Sequence, residues 1–204
     1  MSSETLEIAR KTDWEDIEIQ IAFQCAPFIA GIKMSNLLTC WHNELDKLKH
    51  ILKQAGFSFF VVAEADRKAA VLVFDRYQLE AYLRERKVRQ IFQDMGYQDF
   101  ALGKLLLAFR LRYEGYLVKK LEFPHEMGLL LGYPVEDVEG FIFNGGKNCL
   151  YAGYWKVYGD LPHKMLLFSK YERAQDTALQ LTDKGIGVVE IIQKRLLRQS
   201  ICPN

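Results

Sequence analysis

The sequence predicts an α+β fold, a helix-rich single domain over residues 1–204 around a small, mainly antiparallel sheet with a central β-hairpin. Two runs rich in Phe, Val and Leu, residues 57–64 and 69–75, are separated by four residues, a connection short enough only for an antiparallel pair. Elsewhere, apolar residues recur at intervals of three and four, which is typical of amphipathic helices. No internal repeat or low-complexity linker appears, so we predict no domain boundary.

Composition limits the classes of function. Half of the residues are apolar, about a quarter are charged and the formal net charge is +1, as in an ordinary globular protein. Such a neutral chain has no strong field for nucleic acid, so we predict no nucleic-acid partner. No segment approaches the ~20 apolar residues of a membrane span, so we predict no membrane association. The first ten residues lack the apolar region of a secretory signal, which predicts a cytoplasmic protein with free thiols.

The N-terminal segment is predicted to be a helix followed by a short strand. Asp13 is expected to cap the helix and Pro27 to end it. Residues 28–32 are predicted to form a short buried strand that leads to Lys33. Gly31 either brings the backbone and the Lys33 cation to a ligand or allows close packing.

Several helices surround the predicted hairpin. Their predicted ranges are residues 43–55, 76–86, 88–95, 99–120 and 161–182. The last is the most regular, with apolar residues at intervals of four, three, four and three. Two heptads are too few for a coiled coil, so this face is either an internal packing seam or the contact of a homodimer. Residues 187–199 suit a strand or a helix, and we favour a helix.

Residues 123–160 concentrate proline, glycine, aromatic and polar residues. Pro124 and Pro134 are each predicted to start a helix, since proline fits the first helical position. The second helix should end at residues 144–146, and a strand should follow over residues 149–158. Asp160 is then expected to cap the next helix.

Two groups in this stretch suggest ligand binding. Gly146, Lys147 and Asn148 can form an anion-binding nest of backbone N–H groups beside a cation, or simply a tight helix-to-strand connection. In the predicted strand, Tyr154 and Lys156 share a face with Tyr158, while Trp155 and Val157 face the core. The Tyr/Lys/Tyr face either lines a pocket for a planar anionic ligand or is solvated.

His125 stands beside Glu126 near the predicted start of a helix. Because histidine titrates near neutral pH, His125 is the candidate catalytic residue. Adjacent helical residues point about 100° apart, so the two side chains do not form a ready-made pair. The alternative is that His125 bonds a nearby carbonyl.

The same stretch resembles the bacterial DUF3793 family of unknown function. The resemblance is carried by residues 123–126, 128, 131–134, 136–138, 140–141, 146–148 and 153–160, and more weakly by residues 26–27 and 30–33. This chain has Met34 and Ala152 where the family has Pro and Cys. The second difference argues against an essential thiol at that position. The resemblance implies a bacterial protein in a reducing cytoplasm and implies no activity.

Three hypotheses of function follow. The first is a domain, possibly an enzyme, that binds a small anionic or planar ligand, with His125 moving a proton if a reaction occurs. Its ligand-binding residues would be Lys33, Gly146, Lys147, Asn148, Tyr154 and Lys156. The second is a protein-interaction module that uses exposed aromatic residues such as Trp41. The third is metal or haem binding by His125 or Cys149, which no matching ligand set supports. The residues favour the first hypothesis, with no cofactor indicated.

Overall fold

The computed structural model describes residues 3–197. Its main sheet has the strand order β1-β3-β2 and is antiparallel throughout. The strands are β1 (Ser35–Trp41), β2 (Ser58–Ala65) and β3 (Lys68–Phe74). The predicted hairpin is therefore confirmed, and so is the α+β class. Asp66 and Arg67 both have positive φ in its turn, which matches the right-handed twist of the paired strands.

Helices and a second, very small sheet complete the described residues. They are α1 (Ser3–Lys11), α2 (Ile17–Gln24), α3 (Ala26–Ile29), α4 (Leu45–Gln54), α5 (Arg76–Tyr82), α6 (Arg86–Asp94), α7 (Leu102–Leu117), α8 (Met127–Leu130), α9 (Val135–Phe143), β4 (Tyr151–Ala152), β5 (Lys156–Val157), α10 (Leu161–Asp183) and α11 (Val188–Gln193). A single 3-10 turn, His42–Glu44, joins β1 to α4. Within residues 3–197, no helix is both long and apolar enough to cross a membrane.

The N-terminal predictions need correction. Residues 28–32 do not form a strand, because Ala26–Ile29 is helical and Pro27 fits its first turn. Asp16, not Asp13, caps the preceding helix: its carboxylate accepts a hydrogen bond from the Glu18 N–H at 2.9 Å. Helix α1 has no counterpart in the prediction.

Later boundaries also differ from the predictions. Pro124 begins a turn, and α8 starts only at Met127. The strand predicted over residues 149–158 is wrong, since the chain bends at Gly153 and pairs back on itself as β4 and β5. Asp160 does precede α10, but its φ of 45° is left-handed and its side chain makes no capping bond.

Two further helix predictions have a clear outcome. Asp99 does not cap α7, which begins at Leu102; its carboxylate binds the Ala101 N–H and Lys104 instead. Residues 188–193 are helical, as favoured, and the part of that prediction beyond residue 197 lies outside the described residues.

Helices cover both faces of the main sheet. Along β3, Val71 and Val73 belong to one apolar cluster, while Leu72 and Phe74 belong to another on the opposite face. The first cluster, here called the aliphatic core, joins α2, α3 and α4 to α10 and α11 and contains mainly Ile, Leu, Val and Ala. Because Ala174 and Ala178 of α10 are buried in it, the apolar seam of that helix packs inside the molecule.

A third cluster sits beside the sheet and is built from rings. We call it the aromatic cluster: Tyr133, Trp155, Phe168 and Tyr171. Tyr133 stacks on Trp155 at 4.9 Å between ring centroids, and Phe168 meets Trp155 edge-on at 4.6 Å. This cluster joins the loop before α9, the small sheet and the first half of α10, and it supports the candidate site.

Candidate functional site

A cavity of about 400 Å³, here called the main cavity, lies between the end of α7, the segment 123–131, α9 and β5. Its walls are mostly apolar and include five aromatic residues. The rings that line it are Tyr113, Phe123, Tyr133, Phe141 and Trp155. Burial raises the pKa of the Tyr133 hydroxyl, so that group stays neutral at physiological pH. Three other lining residues, His125, Asp137 and Lys156, carry polar or charged groups.

Asp137 connects the two elements that form one wall of the main cavity, α9 and the segment around β5. Its side chain is 2% exposed and accepts hydrogen bonds from the Trp155 indole N–H at 2.7 Å and from the backbone N–H groups of Tyr158 and Gly159 at 2.7 and 3.2 Å. Each carboxylate oxygen therefore has a partner. Asp137 ties α9 to the segment around β5 and fixes the Trp155 ring against the cavity.

Lys156 brings a cation to the main cavity. Its ammonium donates a hydrogen bond to the Gly146 carbonyl at 2.6 Å and lies 5.7 Å from the centre of the Phe141 ring. An ammonium has three protons, so further donors are available beyond the one used here.

Glycine is required at position 146 for two reasons. Its φ is +72°, and a Cβ there would come within 3.0 Å of the Phe141 ring. The loop that follows α9 is thereby held against one wall of the main cavity. Lys147 and Asn148 come next in this loop and are exposed.

His125 lies between two aromatic rings. Its ring centroid is 5.8 Å from that of Phe123 and 5.3 Å from that of Phe141. Its Nδ1 atom is buried and has no hydrogen-bond partner within residues 3–197, so this atom makes no bond to a carbonyl of those residues, which was the predicted alternative. A buried nitrogen without a partner beside a cavity is available to a ligand.

The neighbouring Glu126 is fully buried, which the sequence did not indicate. Its Oε1 atom accepts hydrogen bonds from the Tyr97 hydroxyl at 2.8 Å and from Arg112 Nε at 2.5 Å. Burial, together with the nearby Glu126 charge, raises the pKa of Tyr97, which keeps that hydroxyl a donor. Tyr97 and Arg112 are 29 and 14 residues away in sequence, so no local pattern could have predicted these partners.

Lys164 and Glu136 form a second pair that sequence reasoning missed. Lys164 is 4% exposed and its Nζ atom lies 2.5 Å from Glu136 Oε1, which links α10 to α9. Burial acts to raise the pKa of Glu136, but the hydrogen bond from Lys164, a backbone hydrogen bond and the charges of Lys164 and Lys87 together outweigh it, so the pKa lies below its usual value.

Lys33 does not line the main cavity. Its ammonium donates to Asn36 Oδ1 at 3.0 Å and lies 5.7 and 5.9 Å from the ring centres of Tyr133 and Tyr171. Burial lowers its pKa to about 8. Lys33 is therefore connected to the main cavity only through Tyr133, whose ring lies near the Lys33 ammonium and also lines the cavity.

Tyr154 also lies elsewhere. Its hydroxyl donates to Gln175 at 2.7 Å, and its ring packs against Phe168 and Tyr171 beside a shallow groove along α10. Burial raises its pKa to about 12. Of the predicted site residues, the structure thus brings together His125, Lys156 and the Gly146 carbonyl, and it leaves Lys33 and Tyr154 outside their cavity.

The metal hypothesis finds no ligand set in the part of the chain that the structure describes. Among residues 3–197, no three side chains of His, Cys, Asp or Glu are grouped closely enough to hold a metal ion. Cys149 is a free, partly buried thiol.

Comparison with known proteins gives one match. A family described as "Protein of unknown function (DUF3793)" matches residues 21–192, which include every residue that lines the main cavity. No curated protein and no solved structure matches the chain.

Proposed function

The chain belongs to the DUF3793 family, and we propose that it binds a small planar anion in the main cavity. The observation that carries this proposal is the Lys156 ammonium beside a cavity whose other walls are mostly apolar and include five aromatic rings. Ligand pockets of about 300–1,000 Å³ usually combine apolar walls with a few convergent polar groups, and a volume of about 400 Å³ fits a compact ligand of this kind.

Each group has a distinct role in this proposal. The rings of Phe141 and Trp155 stack against the planar body of the ligand. Lys156 neutralises its negative charge, because the bond to Gly146 leaves protons of the ammonium free. His125 Nδ1 bonds a second polar atom of the ligand and moves a proton there if the ligand reacts.

The remaining predicted residues act from outside the main cavity. Lys147 and Asn148 lie in the exposed loop beside Gly146, so Lys147 adds only screened attraction for an anion. Lys33 and Tyr154 support the aromatic cluster through their contacts with Tyr133 and Tyr171.

Two probes of similar shape, one anionic and one neutral, distinguish the contribution of the ligand's charge to binding from that of its shape. We would titrate the protein with 2-naphthoate and with the neutral 2-naphthylmethanol while following the Trp155 indole N–H signal by NMR. We expect naphthoate to bind at least about tenfold more tightly, because Lys156 lines the main cavity and can donate a charge-assisted hydrogen bond to the carboxylate. Lys156→Met should remove this preference without changing the binding of the alcohol by more than about twofold.

Two other lysines calibrate the result. Lys53→Met removes an exposed charge on α4 and should leave both affinities unchanged. Lys147→Ala should weaken naphthoate by only about twofold, since exposed charges contribute little. The proposal fails if neither probe shifts the Trp155 signal, or if Lys156→Met binds naphthoate as tightly as the natural protein does.

A second candidate function is an interaction module, for which we propose a second copy of the chain as the partner. Its support is the exposed apolar rim of the groove along α10, where Tyr151 is 43%, Met165 41% and Leu166 66% exposed. Exposed apolar patches of this kind mark contact surfaces. Sedimentation should then detect a dimer that Leu166→Glu converts to a monomer, and a natural protein that stays monomeric at high concentration rejects this candidate.

A further inference from the structure

A smaller cavity of about 260 Å³, here called the side cavity, adjoins the main cavity and shares Phe123 and His125 with it. Its apolar lining comes from Met95, Leu121 and Ile142 in addition to Phe123. The remaining lining residues are charged: Arg112, Glu122 and Glu126. The side cavity therefore combines an apolar wall with a small set of charges.

Glu126 has one carboxylate oxygen that is buried without a partner. Oε1 already accepts from both Tyr97 and Arg112, while Oε2 is buried and receives no hydrogen bond from the residues that the structure describes. The whole residue is 0% exposed. Native proteins rarely leave a buried carboxylate oxygen unsatisfied, and such an atom at a cavity indicates a missing donor. Among the residues of this cavity, His125 Nδ1 is a second buried polar atom without a partner.

The charges around the side cavity favour a cation as that donor. Two carboxylates, those of Glu122 and Glu126, face one guanidinium, that of Arg112, so the charged lining is net negative by one. The Nε proton of Arg112 is already directed at Oε1. An inorganic cation such as Ca²⁺ would need six or more oxygen ligands, and the described residues around this cavity do not supply them.

We propose that the side cavity binds a small organic ammonium ion, whose N–H group donates to Glu126 Oε2 and whose carbon chain lies against Phe123, Leu121 and Ile142. This inference does not depend on what occupies the main cavity, because Lys156 plays no part in it.

The test compares an amine with its alcohol of equal size. We would titrate the protein with n-butylammonium and with n-butanol and follow the backbone amide signals of residues 121–123 and 125–127 by NMR. Butylammonium should bind at least about tenfold more tightly than butanol, since only the cation gains from the net negative lining. Equal affinities, or shifts confined to the Trp155 indole in the main cavity, would overturn the inference.

The Glu126→Gln variant tests whether the charge on Glu126 Oε2 is needed to bind the ammonium. The amide keeps the size of the side chain and one acceptor, but it presents either a neutral oxygen or an N–H group to the side cavity, so the tenfold preference should disappear. Glu15→Gln makes the same change in charge at an exposed position and should retain the preference in full.

Thermal unfolding and naphthoate binding accompany these titrations as separate readouts. If Glu126→Gln folds and still prefers butylammonium, Glu126 is not the receptor and the inference is wrong. If Glu126→Gln does not fold, the comparison of butylammonium with butanol on the natural protein still tests the inference by itself. A natural protein that binds naphthoate but not butylammonium rejects this inference and leaves the proposed function intact.

Discussion

The aliphatic core and the aromatic cluster are built on different principles. The aliphatic core fills the space between the sheet and α10 with side chains such as Ile21, Leu48 and Leu52, and packing alone accounts for it. Three charged residues are buried among those whose burial the structure describes, residues 5–197: Glu126, Asp137 and Lys164. They lie around the main cavity and the elements that enclose it. Buried charges seldom add stability over apolar residues of similar size. In our proposal, packing for stability accounts for the aliphatic core, while the region around the main cavity accommodates a ligand.

The largest effect should follow from removing Asp137. In Asp137→Ala, the Trp155 indole and two backbone N–H groups lose their acceptor inside the protein. Each buried unsatisfied donor costs about 1–3 kcal/mol, so we expect the free energy of unfolding to fall by about 4 kcal/mol. Urea unfolding measures this loss, and 2-naphthoate binding by the remaining folded protein should also weaken by at least about tenfold.

Leu48→Ala provides the matched change in the aliphatic core. Leu48 is 0% exposed, and its truncation should cost about 3 kcal/mol through lost contacts and a cavity. Binding per folded molecule should remain unchanged. If Leu48→Ala weakens naphthoate as strongly as Asp137→Ala does, the two regions are not functionally distinct.

An intermediate effect is expected at Lys33, which lies where the two regions meet. The buried ammonium has a pKa of about 8 in the folded protein against 10.5 for the free side chain. Below pH 8, Lys33 is charged in both the folded and the unfolded state, so the full free-energy cost of burying its charge is present. This cost decreases as the pH rises above 8, because Lys33 then loses its proton in the folded state. Lys33→Met should therefore be more stable than the natural protein at pH 7, and this advantage should shrink by about 2 kcal/mol between pH 8 and 10.5.

Chemical unfolding at a series of pH values measures that difference. Comparing the two proteins at each pH removes most of the contribution of the Cys25 thiol, whose pKa burial raises to about 12 in the natural protein. An advantage that stays constant across this range would mean that Lys33 remains charged when folded and gains from the faces of Tyr133 and Tyr171.

The smallest effects on the free energy of unfolding are expected from alanine substitutions at two helical glycines, Gly140 and Gly103. At Gly140 of α9, an added Cβ would lie 2.5 Å from Tyr158, so Gly140→Ala should lower the free energy of unfolding by about 2 kcal/mol. At Gly103 of α7, nothing lies within 4 Å, so Gly103→Ala should raise it by about 0.5–1 kcal/mol because alanine restricts the unfolded chain. Thermal unfolding of both variants tests the contrast, and equal destabilisation would contradict it.

Sequence patterns predicted the parts of the fold that depend on local periodicity. The hairpin followed from two apolar runs joined by a short connection, and α10 followed from its repeat of apolar residues. The failures share a cause. The sequences around Pro27 and Gly153 are each compatible with more than one local structure. Tertiary contacts determine which of these structures forms.

The candidate site was predictable only in part for a related reason. Local density of Gly, Lys and aromatic residues indicated His125 and Lys156, which share the main cavity. Alternation along a single strand grouped Tyr154 with Lys156, but the bend at Gly153 and the short pairing of β4 with β5 separate their surroundings. The partners of Glu126 and Asp137 come from distant elements, and such long-range pairings leave no periodic signal in one sequence.

Helix α10 belongs to both regions at once. Over its 23 residues, about 35 Å, Phe168 and Tyr171 pack in the aromatic cluster, while Ala174 and Ala178 pack in the aliphatic core. Tyr133 and Trp155 line the main cavity and belong to the aromatic cluster, so α10 links that wall of the cavity to the aliphatic core. We propose that the two regions open together, and we then expect binding in the main cavity to slow the exchange of amide hydrogens along all of α10.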